Sequence, residues 1–377
     1  MKDVQVRACA RSTTALFLGA ALLALTARMS YAATYTVQDL GSLGGTTRMA
    51  STQTFALGIN SAGEVVGQSL TATGQFRAFS WTSAGGMTEL GASIANSTGS
   101  GANAISDNGE VVGNYDDSSG AHAIAWENGS LSKVGPPVSI NSNAYDVNLK
   151  GQVVGWATYS NNPTFPRAFL FDNGTATDLG TLGGNTSRAY GINNSGQVVG
   201  ESDIAGNTGY HAFLWSNGKM SDLGGLGGNS VASYISGNGA IVGLSYLLGS
   251  TNYHAVLWAN GAVKDLGTLG GTMSFAEQIN ANGQIVGAAY LTGNSEEHAV
   301  LWQNGFITDL NSLVSLNSPG YLQSALFING SGQIVAQGSN GHAYLLSPVP
   351  EPQTYALMLA GLGLVSFVAR RRMQHAD

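Results

Sequence analysis

The sequence predicts an all-β fold, a seven-bladed β-propeller made of four-stranded blades. Three observations support this: a phrase that returns seven times, four strand-like segments in each copy, and a segment near the N-terminus that completes the last copy. The composition agrees, since 53 of 377 residues are glycine and only 10% are charged. Such a chain suits many tight turns between short strands.

The repeated unit combines Asp-Leu-Gly-Thr-Leu-Gly-Gly, Ile-Asn, Gly-Gln-Val-Val-Gly and His-Ala-Phe-Leu-Trp, followed by an Asn-Gly turn. A histidine or arginine opens the His-Ala-Phe element of every copy, and successive ones lie 45, 45, 44, 43, 44 and 44 residues apart. So constant a period indicates stacked or radially arranged units. These residues are Arg77, His122, Arg167, His211, His254, His298 and His342.

Each copy divides into four candidate strands, which in the most regular copy are residues 187–193, 197–202, 211–215 and 219–223. Five residues of strand cover about 17 Å, the size of a blade strand. Nothing in the unit has a helical period. Four strands per unit therefore predict a propeller blade.

Two turns recur within the unit. The first always ends on glycine, which predicts a positive φ there; the residues are Gly63, Gly109, Gly151, Gly196, Gly239, Gly283 and Gly332. The second is an Asn-Gly pair in five copies, the dipeptide most favoured in two-residue hairpins.

The last copy stops at residues 342–346 without a fourth strand, whereas residues 34–40 match the fourth-strand phrase through Asp39 and Leu40. We therefore expect residues 34–40 to pair with the last blade. This latch would close the ring and remove two open sheet edges.

The His-Ala-Phe phrase stands at residues 211–213 and returns in altered form in the other copies, for example as His-Ala-Val at His254. It resembles the signature of HAF repeats, a family of extracellular repeats. The resemblance spans nearly the whole mature body. It implies an exported repeat protein and brings no catalytic residues with it.

An acid follows the recurrent histidine or arginine by eleven or twelve residues, and a hydrogen bond within the blade is the expected reason. This arrangement resembles the histidine and aspartate of WD-repeat blades. The acids are Glu89, Asp178, Asp222, Asp265 and Asp309, with Asp39 serving the last blade. The second copy has Lys133 instead, so His122 is expected to be solvated or paired otherwise.

A recurrent aromatic residue ends the third strand, and we interpret it as packing between blades; stacking on sugars at the surface is the alternative. The set is Trp81, Trp126, Phe171, Trp215, Trp258 and Trp302.

The N-terminal residues 1–32 have the features of a signal peptide, with Lys2, Arg7 and Arg11 before an apolar run and small residues before a cleavage site near Ala32. The single cysteine, Cys9, lies in this removable segment. The exported body, residues 33–347, would then have neither disulfides nor cysteine-bound metals.

The C-terminal segment, residues 348–377, contains Pro350, Glu351 and Pro352, an apolar stretch at 355–369, and Arg370, Arg371 and Arg372. As a helix, the stretch would rise about 22 Å, short of a hydrocarbon core of about 30 Å. The segment resembles the PEP-CTERM sorting signal of Gram-negative bacteria. That resemblance implies recognition by an exosortase, a transient membrane anchor and an organism that makes exopolysaccharide; an ordinary C-terminal anchor is the alternative.

Residues 33–352 contain 8 lysines and arginines against 20 aspartates and glutamates, a net charge of −12, which argues against a nucleic-acid partner. The sequence has no Gly-x-Ser-x-Gly elbow, phosphate loop or calcium-loop spacing, so we expect no enzyme activity, cofactor or metal. Ligand contacts are expected in loops where the copies differ. The candidates, tyrosines and acids suited to a glycan, are Tyr115, Asp116, Asp117, Tyr159, Asp203, Tyr246, Tyr290, Glu296 and Glu297.

These observations favour a non-enzymatic protein of the cell surface or biofilm matrix that binds exopolysaccharide or another envelope component. A carbohydrate-active propeller, either a hydrolase or a lyase, is one alternative, and it would require a converging acid pair or a His/Arg/Tyr cluster at the channel mouth. A scaffold for other envelope proteins is the second alternative.

Overall fold

The computed structural model describes residues 34–44, 53–91, 94, 96–127 and 129–349. The expected signal peptide, its cleavage site and Cys9 lie outside the described residues. So do Asn128 and the sorting segment from Pro350 onwards.

The described residues form seven antiparallel sheets of four strands each, which confirms the predicted seven-bladed propeller. Blade 1 contains β2 (Thr54–Ile59), β3 (Val65–Leu70), β4 (Phe76–Thr82) and β5 (Gly86–Glu89), and blade 2 contains β6 (Gly99–Ile105), β7 (Val111–Asp117), β8 (Gly120–Glu127) and β9 (Ser130–Lys133). Blade 3 contains β10 (Ser139–Val147), β11 (Val153–Tyr159), β12 (Asn162–Asp172) and β13 (Thr175–Asp178), and blade 4 contains β14 (Gly183–Ile192), β15 (Val198–Ile204), β16 (Tyr210–Ser216) and β17 (Lys219–Asp222).

Blade 5 contains β18 (Gly227–Ile235), β19 (Ile241–Leu247), β20 (Tyr253–Ala259) and β21 (Ala262–Asp265), and blade 6 contains β22 (Gly270–Ile279), β23 (Ile285–Leu291), β24 (Glu297–Gln303) and β25 (Phe306–Asp309). Blade 7 contains β26 (Leu322–Ile328), β27 (Ile334–Gly338), β28 (Ala343–Pro348) and the N-terminal β1 (Tyr35–Asp39). Three short 3-10 turns lie at Ala205–Asn207, Thr292–Asn294 and Leu310–Ser312.

The predicted latch is confirmed. Strand β1 pairs antiparallel with β28, in a register that places Tyr35 opposite Pro348 and Asp39 opposite Tyr344. Leu40 then donates its N–H to the Ala343 carbonyl at 3.0 Å and buries its side chain. The two ends of the chain thus complete one sheet.

The blades hold together through apolar clusters that cross from one blade to the next. The recurrent Trp81 packs with Val335 and Leu345 of blade 7, and Trp302 packs with Val242 and Ala255 of blade 5. Each blade alone has an apolar face with no cover, so burial between neighbours stabilises the ring. The predicted packing role of these aromatic residues is confirmed.

A buried serine on the first strand adds a hydrogen bond between blades. Ser187 of blade 4 accepts the N–H of Ala168 in blade 3 at 3.0 Å and donates to the Gly180 carbonyl at 2.7 Å. Ser230 and Ser274 make the same pair of bonds in the next two blades. This recurring serine satisfies backbone groups that burial would otherwise leave unpaired.

A β-bulge interrupts the first strand of every blade after its buried alanine. The bulge residues are Leu57, Asn103, Tyr145, Tyr190, Ser233, Glu277 and Leu326. The first strands lie closest to the propeller axis, and the bulges bend them there.

The hairpin turns at both predicted positions have the expected geometry. All seven glycines that end the first turn have positive φ, and both residues of pairs such as Asn217-Gly218 do as well. These turns define one rim of the propeller, the turn rim. The opposite rim carries the hairpins between second and third strands and the crossings between blades, and we call it the loop rim.

Candidate functional site

The structure places the recurrent histidine or arginine at the loop rim, and in blades 3 to 7 this residue is hydrogen-bonded to the acid that ends the fourth strand. His211 Nδ1 lies 2.8 Å from Asp222 Oδ2, and His342 Nδ1 lies 2.7 Å from Asp39 Oδ2 across the latch. Arg77 lies farther from Glu89, at 3.9 Å. The paired side chains stay partly exposed to solvent.

Blade 2 lacks the acid, and its histidine is hydrogen-bonded to residues of the adjacent hairpin instead. His122 Nε2 lies 3.1 Å from Asp117 Oδ1 and 2.9 Å from the Ser119 hydroxyl. Hydrogen bonds from Ser119 and the neighbouring His122 lower the pKa of Asp117 to about 2. Asp117 is therefore a partner of His122.

The candidate binding residues all lie on the loop rim, at the hairpins between second and third strands, but they form separate groups. One group spans blades 4 to 6 and includes Asp203, Tyr246, Tyr290, Glu296 and Glu297. Tyr159 lies in blade 3, where it packs against the apolar cluster shared with blade 2.

The remaining candidates, in blade 2, need one correction. Tyr115 was predicted to contact a ligand from a loop, but it is buried at 7% exposure with its ring 4.9 Å from the His122 ring. Its side chain belongs to the apolar cluster between blades 1 and 2. The neighbouring Asp116 accepts a hydrogen bond from Asn114 at 3.3 Å.

A row of partly buried tyrosines connects blades 4, 5 and 6 on the loop rim, and we call it the tyrosine row: Tyr210, Tyr246, Tyr253 and Tyr290. Tyr210 lies beside Tyr246, whose ring centroid lies 5.4 Å from that of Tyr253. Burial and the neighbouring Tyr246 raise the pKa of Tyr210 to about 12. Burial also raises the pKa of Tyr253 and of Tyr290, so the hydroxyls of these two residues and of Tyr210 can donate hydrogen bonds near neutral pH.

Glu297 ends the tyrosine row and lies opposite Tyr290 in the pairing of β23 with β24. Burial raises the pKa of Glu297, and its charge in turn helps to raise the pKa of Tyr253. A sugar can stack on the face of a tyrosine ring and form hydrogen bonds with the tyrosine hydroxyl and a neighbouring carboxylate.

A pocket of about 250 Å³ lies at the blade 4 end of the tyrosine row, lined by Thr186, Arg188, Glu201, Ser202, Asp203 and Tyr210. Arg188 and Tyr190 both donate to Glu201 Oε1 at 2.9 Å, and Asp203 accepts the N–H of Thr186 at 3.1 Å. Arg188 thus neutralises Glu201, whereas Asp203 is held by a backbone N–H.

Sequence reasoning missed Tyr210, Tyr253, Arg188 and Glu201. Each stands at a position where the seven copies carry different residues, and aligning the copies position by position would have indicated them. In the described part of the chain, no cluster of three or more histidine, cysteine, aspartate and glutamate side chains is suited to a metal ion. No helix within the described ranges is long and apolar enough to cross a membrane.

Comparison with known proteins supports the sorting signal directly. Residues 348–372 match the model of the PEP-CTERM protein-sorting motif, which confirms that prediction. The motif is a recognition signal for exosortase and indicates an exported protein sorted to the cell surface. The likeness to HAF repeats, the Gram-negative source and the exopolysaccharide partner stay predictions.

No curated protein matches the chain. Among solved structures, an inactive variant of virginiamycin B lyase from Staphylococcus aureus with quinupristin is 12% identical, with a TM-score of 0.50 over 84% of this chain and 100% of that one. The β-propeller domain of the Trilobed protease from Pyrococcus furiosus is 10% identical, also with a TM-score of 0.50, over 76% and 91% of the two chains. At such identities, the similarity shows the fold alone.

Proposed function

We propose that this exported propeller is a non-enzymatic binding protein that holds a neutral exopolysaccharide on its loop rim. The tyrosine row is the observation that carries the proposal. Tyr246 and Tyr253 supply ring faces, while Tyr290 and Glu297 supply a donor and an acceptor. Aromatic surface with a few polar groups recognises sugars without a charge on the ligand.

The charge of the body argues for a neutral polymer. Residues 33–352 carry a net charge of −12, and the acids Asp203, Glu296 and Glu297 lie at or near the tyrosine row. A polyanionic chain would be repelled by this surface at moderate ionic strength. A neutral glucan avoids that cost.

Native gels cast with polysaccharide test the proposal. We expect dextran to retard the full-length chain in detergent and alginate to leave it unretarded. Tyr246→Ala removes a ring and should weaken binding by about 2- to 10-fold, in line with about 0.5–1.5 kcal/mol for an aromatic contact. Phe306→Ala is the matched control, because Phe306 is 74% exposed at the turn rim.

Failure would take one of two forms. Either no neutral polysaccharide retards the protein, with or without calcium, or Tyr246→Ala and Phe306→Ala reduce retardation equally. The first result rejects a glycan ligand, and the second rejects the tyrosine row as its site.

A second candidate function, a polysaccharide hydrolase or lyase, draws support from the pocket of blade 4, where Arg188, Glu201 and Tyr210 lie together. The ion pair between Arg188 and Glu201 at 2.9 Å argues for a structural role. Incubation with dextran and with alginate, a uronate polymer on which a lyase could act, decides between the two. Release of new reducing ends or unsaturated uronic products, lost in Glu201→Gln, would support the enzyme.

A further inference from the structure

The propeller contains a cavity of about 540 Å³ on its axis, lined by the first strands of all seven blades. It extends to the turn rim, where Asn148 and Asn193 reach it. None of the four tyrosines of the tyrosine row lines it.

The residues that line the cavity do not follow the seven-fold repeat. In blade 3, the bulge residue and its successor are Tyr145 and Asp146, whereas blade 5 has Tyr234 and blade 6 has Glu277 and Gln278. The alanine before each bulge and the isoleucine or valine after it recur in every blade. Packing fixes those flanking positions, so the variety is confined to side chains that face the cavity.

In the part of the chain that the structure describes, the cavity lining carries negatively charged side chains and no positively charged ones. Asp146 accepts the backbone N–H groups of Val147 and Ile192, each at 2.8 Å. Glu277 has no hydrogen-bond or ion-pair partner among the described residues, and part of its side chain stays open to the channel. No lysine, arginine or histidine appears among the described residues that line the cavity.

A carboxylate that channel walls partly shield from water, with no counter-charge beside it, favours the uptake of a proton or a cation. Burial, with the negative charge of Glu297 as the smaller cause, raises the pKa of Glu277 to about 7, and burial raises that of Asp146 to about 7 as well. The cavity also holds three tyrosines, and the rings of Tyr145 and Tyr190 meet edge to face with centroids 5.4 Å apart. Aromatic walls beside a carboxylate attract an organic ammonium group.

We propose that this cavity is a binding site for a small organic cation with an alkylammonium group, with Glu277 as its counter-charge and the tyrosines as its walls. A bare metal ion fits less well, since Glu277 and Asp146 belong to no metal-binding cluster in the described ranges. The site does not depend on polysaccharide binding at the loop rim.

Isothermal titration of the full-length chain in detergent tests the site, with 1,5-diaminopentane as the probe and 1,5-pentanediol as its neutral analogue. We expect the diamine to bind and the diol not to bind. Glu277→Gln keeps the shape but removes the charge, and it should weaken diamine binding at least 10-fold. Glu127→Gln is the matched control, because Glu127 is exposed on the outer part of blade 2, and its affinity should equal that of the unmodified chain.

A second variant keeps the proposal testable if Glu277→Gln does not fold. Ser233→Lys places a tethered ammonium in the same cavity and should also abolish diamine binding, while leaving retardation in dextran unchanged. Equal binding of diamine and diol, unchanged affinity in Glu277→Gln, or binding of calcium but not of diamine would each overturn the proposal.

Discussion

At the scale of single residues, the side chains that recur have structural partners. Asp222 accepts from the backbone N–H of Gly224 at 2.7 Å and from His211 at 2.8 Å, so one aspartate holds both a turn and the third strand. The same pair of bonds returns at Asp265 and, across the latch, at Asp39. The recurrence of these residues follows from backbone geometry, without any ligand.

The glycine of the Val-Val-Gly phrase supports a prediction at this scale. A Cβ atom at Gly200 would lie 1.9 Å from the Arg188 carbonyl oxygen, because the first strand approaches closely there. We expect Gly200→Ala to lower the free energy of unfolding by about 1–3 kcal/mol or more. Denaturant unfolding measures this loss in the free energy of unfolding.

Gly330→Ala is the control, since its Cβ would meet nothing within 4 Å and its φ is not positive. This variant should change stability by no more than about 0.5 kcal/mol. A Gly200→Ala variant as stable as Gly330→Ala would contradict the close approach.

Two channel carboxylates predict how stability depends on pH. Burial raises the pKa of Asp146 and of Glu277 to about 7, from ordinary values of 3.8 and 4.5. Between about pH 4 and pH 7, the folded state therefore binds more protons than the unfolded state, and stability falls as pH rises through that range. The lowered pKa of Asp117, about 2, adds stability that is already complete above about pH 4.

Thermal melts from pH 4 to pH 8 check this expectation. Glu277→Gln should show a shallower fall of Tm with pH and a higher Tm than the unmodified chain at pH 8, with little difference at pH 4. Parallel Tm curves for the two proteins would show that Glu277 does not titrate in this range.

At the scale of elements, the latch strand β1 is the one strand of blade 7 that comes from the other end of the chain. Leu40, directly after β1, packs in the cluster that joins blade 7 to blade 1, together with Phe79 and Val335. A short strand thus closes both a sheet and a blade interface. Its burial stabilises the whole ring.

Leu40→Ala should therefore destabilise the protein by about 2–5 kcal/mol, the usual cost of truncating a buried leucine. Thr36→Ala, on the exposed side of β1, is the matched control and should cost under about 1 kcal/mol. Equal losses from the two substitutions in denaturant unfolding would mean that the latch contributes through its backbone alone.

At the scale of the whole molecule, the ring closes with the contacts that join ordinary neighbours. Asn329 Nδ2 donates to the Asn60 carbonyl of blade 1 at 3.1 Å, as Asn148 donates to the Asn193 carbonyl at 3.0 Å. The junction between blades 7 and 1 is thus equivalent to the junction between blades 3 and 4. The position of the chain ends is then arbitrary for the fold.

A circular permutant follows from this equivalence. Joining residue 349 to residue 34 through a short Gly-Ser linker is feasible because Tyr35 and Pro348 lie opposite each other. New ends between Asn217 and Gly218, in an exposed two-residue turn, should leave a folded propeller.

The permutant should have the circular dichroism spectrum of the original propeller and a Tm within several degrees of it. Loss of cooperative unfolding would indicate that the fold requires blade 7 to be assembled from both ends of the chain.

The sequence by itself determined the number of blades, the four strands of each, both turn types and the latch, because these features depend on local backbone geometry repeated seven times. It also determined the sorting signal, a linear motif. The sequence could not indicate which variable residues meet. Tertiary structure alone buried Tyr115, joined Tyr246 and Tyr290 into one row, and turned Tyr145 and Glu277 towards a shared channel, since closing the ring brings together residues far apart in the chain.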